Sequence, residues 1–347
     1  MRTILLATVA ALAVTGARAA ELNALVWCDH TDPALIEPFE KAHGVKVNLK
    51  EYEGTGTALS LVEQSRPGDW DVFVIDGIDV PRAIDAGLLA PLPEAELPMA
   101  DIFPELVMAE NHTRDGKTYA VTEKFGYNTI SYNKAKVDAA ALADVTALWT
   151  DEAFEGRIAI YDYYLPVIGL VAMGLGKETA ELTADDLPAI REALIAMKRN
   201  ARSVVDVVSS QTVLATGEVD VLVGGGEWVT AILAAEQPEL DWMIPEQGAV
   251  RWSQSIGIFA DSEKKDLALE FVKYILSPEG QARLATSSCY WAMPANAKAG
   301  AVLSDQQKAA LRWDDQAEYL KRAQLYPAPD GDLDAAMQDV WTEMLQQ

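Results

Sequence analysis

The chain is poor in the residues that usually do chemistry. Its 347 residues include three histidines, His30, His43 and His112, and two cysteines, Cys28 and Cys289. No histidine stands at metal-ligand spacing from another, and the sequence has no G-x-S-x-G elbow, Walker loop or H-E-x-x-H pair. These absences argue against an enzyme and against a resident metal or other cofactor. The glycines of "GTGTA" at 54–58 and "GGG" at 224–226 could form anion nests, but turns and close backbone approach are commoner reasons for such runs. Basic residues are also scarce: 28 Lys and Arg stand against 53 Asp and Glu, a formal charge of −25. That balance excludes nucleic acid as a partner, because phosphate contacts need a basic surface. It suits a solvated surface and the steering of cations into a cleft.

Long apolar runs are missing too. The run at the N-terminus, Ile4 to Val14, follows Arg2 and precedes the small residues Ala17 and Ala19, the pattern of a cleavable export signal over residues 1–19. It is shorter than the ~20 apolar residues that a spanning helix needs, so the expectation is an exported protein free in the periplasm. The remaining length exceeds the ~250–300 residues at which one core stops growing, which predicts two lobes. In an oxidising compartment Cys28 and Cys289 could pair, and the sequence leaves that open.

Strand and helix signals alternate. "NALVW" reads as a strand, followed by Asp32 as N-cap and Pro33 at the first helical position. "VKVNLKEY" alternates like a half-buried strand, "SLVEQ" starts a second helix, and "WDVFVID" is a run suited to a sheet covered on both faces. This β-α-β-α-β order predicts an α/β fold with parallel strands and right-handed crossovers. Ligands of such sheets bind at the carboxyl ends of the strands, where Trp27, Asp29, His30 and Asp76 stand. "YAVTEKFGYNTISYNKAKV" and "VRWSQSIGIFA" read as extended segments crossing between lobes. Aromatic and acidic residues recur at strand ends, including Phe125, Tyr161 to Tyr164, Glu227, Trp228, Trp252 and Tyr290. Ring faces attract amines and carboxylates hold them, so the set suits a methylene chain with charged ends.

Over essentially its whole mature length the sequence resembles the spermidine/putrescine-type periplasmic solute-binding proteins of ABC importers. The resemblance rests on "VWCDHTDPALIEPFEKAHGVKV", "GDWDVFVIDGIDVPRAIDAGLLAPL", "YAVTEKFGYNTISYN", "ALWTDEAFEGRIAI" and "DLALEFVKYILSPEGQARLA". It implies a type II periplasmic binding fold: residues 20–129 with 253–299 in one lobe and 130–252 with 300–347 in the other, closing on a ligand. It also implies a monomer that serves membrane permease subunits. Residue by residue, Trp27 matches a ring packed on the ligand's carbon chain, Asp29 an amine-holding carboxylate, Glu227 an amine-binding acid and Tyr290 a cleft tyrosine. His30 stands where the family usually has Tyr, and Asp76 where it usually has Ser.

Departures from the family pattern weaken the match to a long polyamine. Tyr163 and Pro166 occupy positions of spermidine-type acids, Gln254 replaces an expected Asp after Trp252, and Gly224 replaces a tryptophan. A shorter amine is therefore competitive, as is a zwitterionic ω-amino acid whose carboxylate pairs with Arg202 or Arg251. Two further alternatives are ferric iron held by the tyrosines of "YDYY" and a periplasmic enzyme using His30 as base beside Asp29.

Overall fold

A computed structural model describes residues 20–347, and the expected export signal at 1–19 lies outside the described residues. The first half opens as the alternation predicts. Strand β1 (Ala20–Val26) leads to helix α1 (Pro33–His43), whose first turn is capped by the Asp32 carboxylate accepting from the Ala34 N–H at 2.8 Å. Leu35, Ile36 and Phe39 form its buried face, and Gly44 ends it at φ 66°, a left-handed conformation that glycine adopts without strain. Next come β2 (Val45–Glu51), α2 (Thr55–Gln64), β3 (Val72–Asp76) and α3 (Val80–Asp85). Strands β2 and β3 both pair with β1 in parallel. Every residue of β3 is buried, as its unbroken apolar run requires.

A 14-residue strand, β4 (Ala120–Asn133), then crosses the molecule. The second half contains β5 (Ile158–Tyr161), the buried helix α4 (Tyr164–Gly174), α5 (Leu187–Asn200), β6 (Ala201–Val205), α6 (Val207–Ala215) and β7 (Val221–Gly225). The "GRIAIYDYY" segment is a strand only as far as Tyr161, and Tyr164 already belongs to α4. Strand β8 (Ala249–Ile258) crosses back.

The path through the 11-stranded sheet is β2-β1-β3-β8-β4-β7-β5-β6, with three short strands alongside. β4 pairs with β8 over residues 120–128 and with β7 over 129–132, with a register shift at Thr129/Ile130. One strand thus belongs to the first half at one end and the second half at the other. Parallel pairing on both sides of this antiparallel centre turns the carboxyl ends of β1, β2 and β3 toward those of β5 and β7.

Side-chain packing follows the same division only in part, since Trp242 and Ile244 pack with first-half residues and Tyr290 and Ala292 with second-half ones. One large apolar cluster gathers Ile130, Ile158, Ile168, Leu194 and Val223 with Trp341 of the last helix, Gly331–Leu345. A second gathers Leu22, Val74, Ile256 and Phe271, and Leu303, Leu311 and Leu320 pack with it. Among the described residues no helix is long and apolar enough to cross a membrane.

Candidate functional site

Between the facing strand ends lies a cleft of about 690 Å³, mouth included. Trp27 and Cys28 reach it from the end of β1, Glu51, Tyr52 and Glu53 from the end of β2, and Asp76 from the last position of β3. The opposite wall is Tyr161 and Tyr163 after β5, Val207 and Val208 at the start of α6, and Trp228 just beyond β7. The crossing strands form the floor with Asn128, Trp252 and Gln254, and Tyr290 and Tyr326 close the sides. The rings touch in pairs: Trp27 with Tyr52 at 5.3 Å between centroids, Tyr161 with Trp228 at 5.0 Å, Trp252 with Tyr290 at 6.1 Å. Among the described residues no lysine or arginine lines the cleft, whereas Glu51, Glu53 and Asp76 do.

Asp76 and Gln254 stand directly opposite each other on β3 and β8. Among the described residues neither Asp76 Oδ2 nor Gln254 Oε1, both buried, has a hydrogen-bond partner, while Gln254 Nε2 donates to the Tyr290 hydroxyl at 2.6 Å. Burial, reinforced by neighbouring Asp79, pushes the Asp76 carboxyl up to about 8. A buried carboxylate is costly without a counter-charge, so this pair of unfilled acceptors is suited to an ammonium carrying N–H donors. Asn128 is already engaged: its Nδ2 donates to the Gly224 carbonyl at 2.8 Å, and its Oδ1 accepts from the Tyr326 hydroxyl at 2.6 Å.

The expectation that Asp29 and His30 face the cleft is corrected. After Trp27 the chain turns through a 3₁₀ segment, Cys28–Thr31, whose three-residue period leaves Trp27 and Cys28 on the cleft and turns the next two side chains into the protein. Both are fully buried. Asp29 Oδ2 accepts from Lys124 Nζ at 2.8 Å, and His30 bridges Asp29 and Glu123 at 2.9 Å on either side. Burial alone would raise the Asp29 pKa, but the Lys124 and His30 charges outweigh it and hold the carboxyl well below the usual range. Burial likewise opposes a charged His30, yet Glu123 and Asp29 push its pKa up to about 10. A buried imidazolium away from the cleft cannot act as a base there, which removes the residue on which the enzyme reading depended.

Glu227 and Phe125 are corrected as well. Glu227 opens the short helix Glu227–Thr230 and turns into the wall, where Oε1 accepts from the Tyr127 N–H at 3.0 Å. Phe125 packs edge-on against Phe103 and Tyr127 in the core of the first half. Gly126 makes room for this arrangement, since a Cβ there would lie 1.9 Å from Glu227 Oε1 and 2.6 Å from the Trp252 ring.

Trp27, Asp76, Tyr163, Trp228, Trp252, Gln254 and Tyr290 do line the cleft. Sequence reasoning missed Glu51, Tyr52 and Glu53, although they directly follow a parallel strand and the strand-end rule could have found them. Tyr326 lies in a segment with no readable period, and no sequence signal marks it. Neither Arg202 nor Arg251 lines the cleft. Arg202 pairs with Glu218 at 3.2 Å, and Arg251 is buried beside a small void behind Asp76.

Cys28 and Cys289 form a disulfide between residues 261 apart in sequence, with Cα atoms 6.0 Å apart. It ties the Trp27 turn to the loop that carries Tyr290, so two parts of the aromatic wall are covalently joined.

A two-sided cleft at facing strand ends, floored by crossing strands and lined by rings and acids, defines a solute-binding protein of the type II periplasmic architecture. The chain belongs to the Bacterial extracellular solute-binding protein family, whose match spans residues 34–311. It is 27% identical over 284 residues to the Putrescine-binding periplasmic protein PotF of Escherichia coli, covering 76% of this chain and 75% of that protein. It is 24% identical over 284 residues to the Spermidine/putrescine-binding periplasmic protein of Salmonella typhimurium, covering 80% of each. Its fold is similar to that of a putative spermidine/putrescine ABC transporter from Listeria monocytogenes, with a TM-score of 0.81 at 23% identity over 94% of this chain and 99% of that one. It is also similar to the Atu4243-GABA receptor, with a TM-score of 0.72 at 18% identity over 94% and 97%. The matching family model places the chain among bacterial extracellular solute-binding proteins, and the similar structures share its fold.

Proposed function

We propose that this protein captures a small amine-bearing cation, related to the polyamines, and presents it as a monomer to the permease subunits of an ABC importer. The observation that carries this reading is the unfilled acceptor pair, Asp76 Oδ2 beside Gln254 Oε1, in a cleft walled by aromatic rings and lacking any basic side chain. An ammonium there gains a carboxylate partner and several ring faces, each ring worth ~0.5–2 kcal/mol. The names of the relatives, which refer to spermidine and putrescine, agree in ligand class. A zwitterionic ω-amino acid is disfavoured because its carboxylate would meet Glu51, Glu53 and Asp76, while Arg251 lies behind Asp76 and outside the cleft lining. Ferric iron is disfavoured because burial raises the Tyr161 and Tyr163 hydroxyl pKa values above the ordinary 10.0, against the phenolate that iron would take.

In this reading residues 20–129 with 253–299 and residues 130–252 with the last helix act as lobes, the segment carrying Leu303, Leu311 and Leu320 packs with the first, and β4 and β8 are the hinge segments. A ligand that touches both walls only when they approach favours closure by its differential affinity. Titration calorimetry with putrescine, spermidine, butylamine and 4-aminobutyrate tests the proposal. At least one of the cationic amines should bind while 4-aminobutyrate does not, and Asp76→Asn should weaken amine binding at least about tenfold, ~1.4 kcal/mol. Amine affinity untouched by Asp76→Asn would overturn the assignment.

A further inference from the structure

Lys124 already occupies an ammonium site. Its Nζ lies 2.8 Å from Asp29 Oδ2, 4.0 Å from the centroid of the Tyr290 ring and 3.4 Å from the Tyr290 carbonyl oxygen. A carboxylate, a ring face and a carbonyl are what a free ammonium would be offered by a binding site. The position adjoins the cleft, because Tyr290 lines the cleft and covers Lys124. It also lies in register with Asp76: Asp76 pairs with Gln254 across β3 and β8, and Gln254 pairs with Lys124 across β8 and β4. Two strand spacings, about 10 Å, separate the backbone of Asp76 from that of Lys124, with Gln254 between them, and the lysine side chain carries its ammonium on to Asp29.

We propose that Lys124 is a built-in occupant of a second ammonium subsite, and that by filling it the chain restricts this receptor to solutes with a single cationic head seated at Asp76. The proposal rests on the reading of the cleft as an amine site. A diamine seated at Asp76 finds Asp29 behind the Tyr290 ring and already neutralised by the protein's own lysine, and its far ammonium is left with Glu51 and Glu53 at the mouth. Lys124 touches no solute in this arrangement and acts by excluding one.

Lys124→Ala tests this, because it removes the equivalent of propylamine and leaves Asp29 beside the Tyr290 ring. In calorimetry the wild type should bind putrescine no more tightly than butylamine. Lys124→Ala should improve putrescine relative to butylamine by at least about tenfold, whereas Lys124→Met, which fills the space without charge, should not. Propylamine in the buffer should raise the melting temperature of Lys124→Ala and leave that of the wild type unchanged; if the variant folds poorly, propylamine should restore its cooperative melting. A wild type that prefers putrescine tenfold overturns the single-head restriction. A Lys124→Ala protein that neither gains putrescine affinity nor responds to propylamine overturns the subsite. Failure of every amine to bind the wild type would instead overturn the reading of Asp76, and the propylamine response would still report on Lys124.

Discussion

Asp76 is the last residue of β3 and Asp29 lies in the 3₁₀ turn just beyond β1, so both follow parallel strands of the first half, and each is buried. Asp29 has Lys124 and His30 against it and stays ionised far into acid. Asp76 has Asp79 and the Tyr163 hydroxyl nearby and, among the described residues, no cation that shifts it, and burial pushes its carboxyl up to about 8. The same side chain at the same kind of position is thus a closed structural charge in one case and an open ligand charge in the other. What separates them is whether the fold supplies the counter-ion. Asp29 belongs to a cluster of two acids and two bases whose charges cancel, and Asp76 is left for a solute to complete.

The contrast can be broken most severely at Asp29. Asp29→Ala leaves Lys124 and His30 buried without their shared partner, and removing one member of a buried ion pair costs about 3–5 kcal/mol. Denaturant unfolding should show a loss of that size. A change below about 1 kcal/mol would mean that the cluster is hydrated or loosely held.

The pH dependence of binding sharpens the contrast from the other side. Below about 8 the empty Asp76 carboxyl holds a proton that a cation must displace, so amine affinity should rise with pH, by at most about tenfold per unit, and level off above that value. Calorimetry at several pH values, in buffers of different ionisation enthalpy, should detect the released proton. Affinity flat through this range would show that Asp76 is already ionised. The unliganded fold carries the opposite signs at the two aspartates. The raised Asp76 pKa contributes stability that is present below the ordinary 3.8 and is lost as pH rises through about 8. The lowered Asp29 pKa contributes stability that is present above 3.8 and is lost as pH falls toward its depressed value.

The smallest effect belongs to the cleft mouth. Glu51 is exposed, so Glu51→Gln should change amine affinity by less than about threefold, an effect that fades with added salt. An effect as large as that of Asp76→Asn would move the centre of binding to the mouth.

The topology of the first half was legible because each signal there is local. Asp32 caps a helix and Pro33 begins it, β2 alternates, β3 is unbroken, and a β-α-β-α-β order has one favoured handedness. The aromatic share of the cleft was legible for a related reason, since strand ends are identifiable and Trp27, Tyr163 and Trp228 stand at or just past them. The charges were not, because a carboxylate's role depends on its partner, and Lys124 lies 95 residues from Asp29 in the chain. The 3₁₀ turn at Cys28–Thr31 hid the rest: one shift in backbone period put Trp27 on the cleft and Asp29 behind it.

Periodicity, capping and composition sufficed to determine an acidic α/β protein with rings at its strand ends, because those signals act between residues a few positions apart, and the resemblance to solute-binding proteins supplied the expectation of a receptor. Only the tertiary structure decided which aspartate is free for a solute, whether Cys28 meets Cys289, and that Lys124 neutralises Asp29. Electrostatic and covalent partners are chosen by distance in space, and β4 and β8 bring together residues that the chain holds far apart.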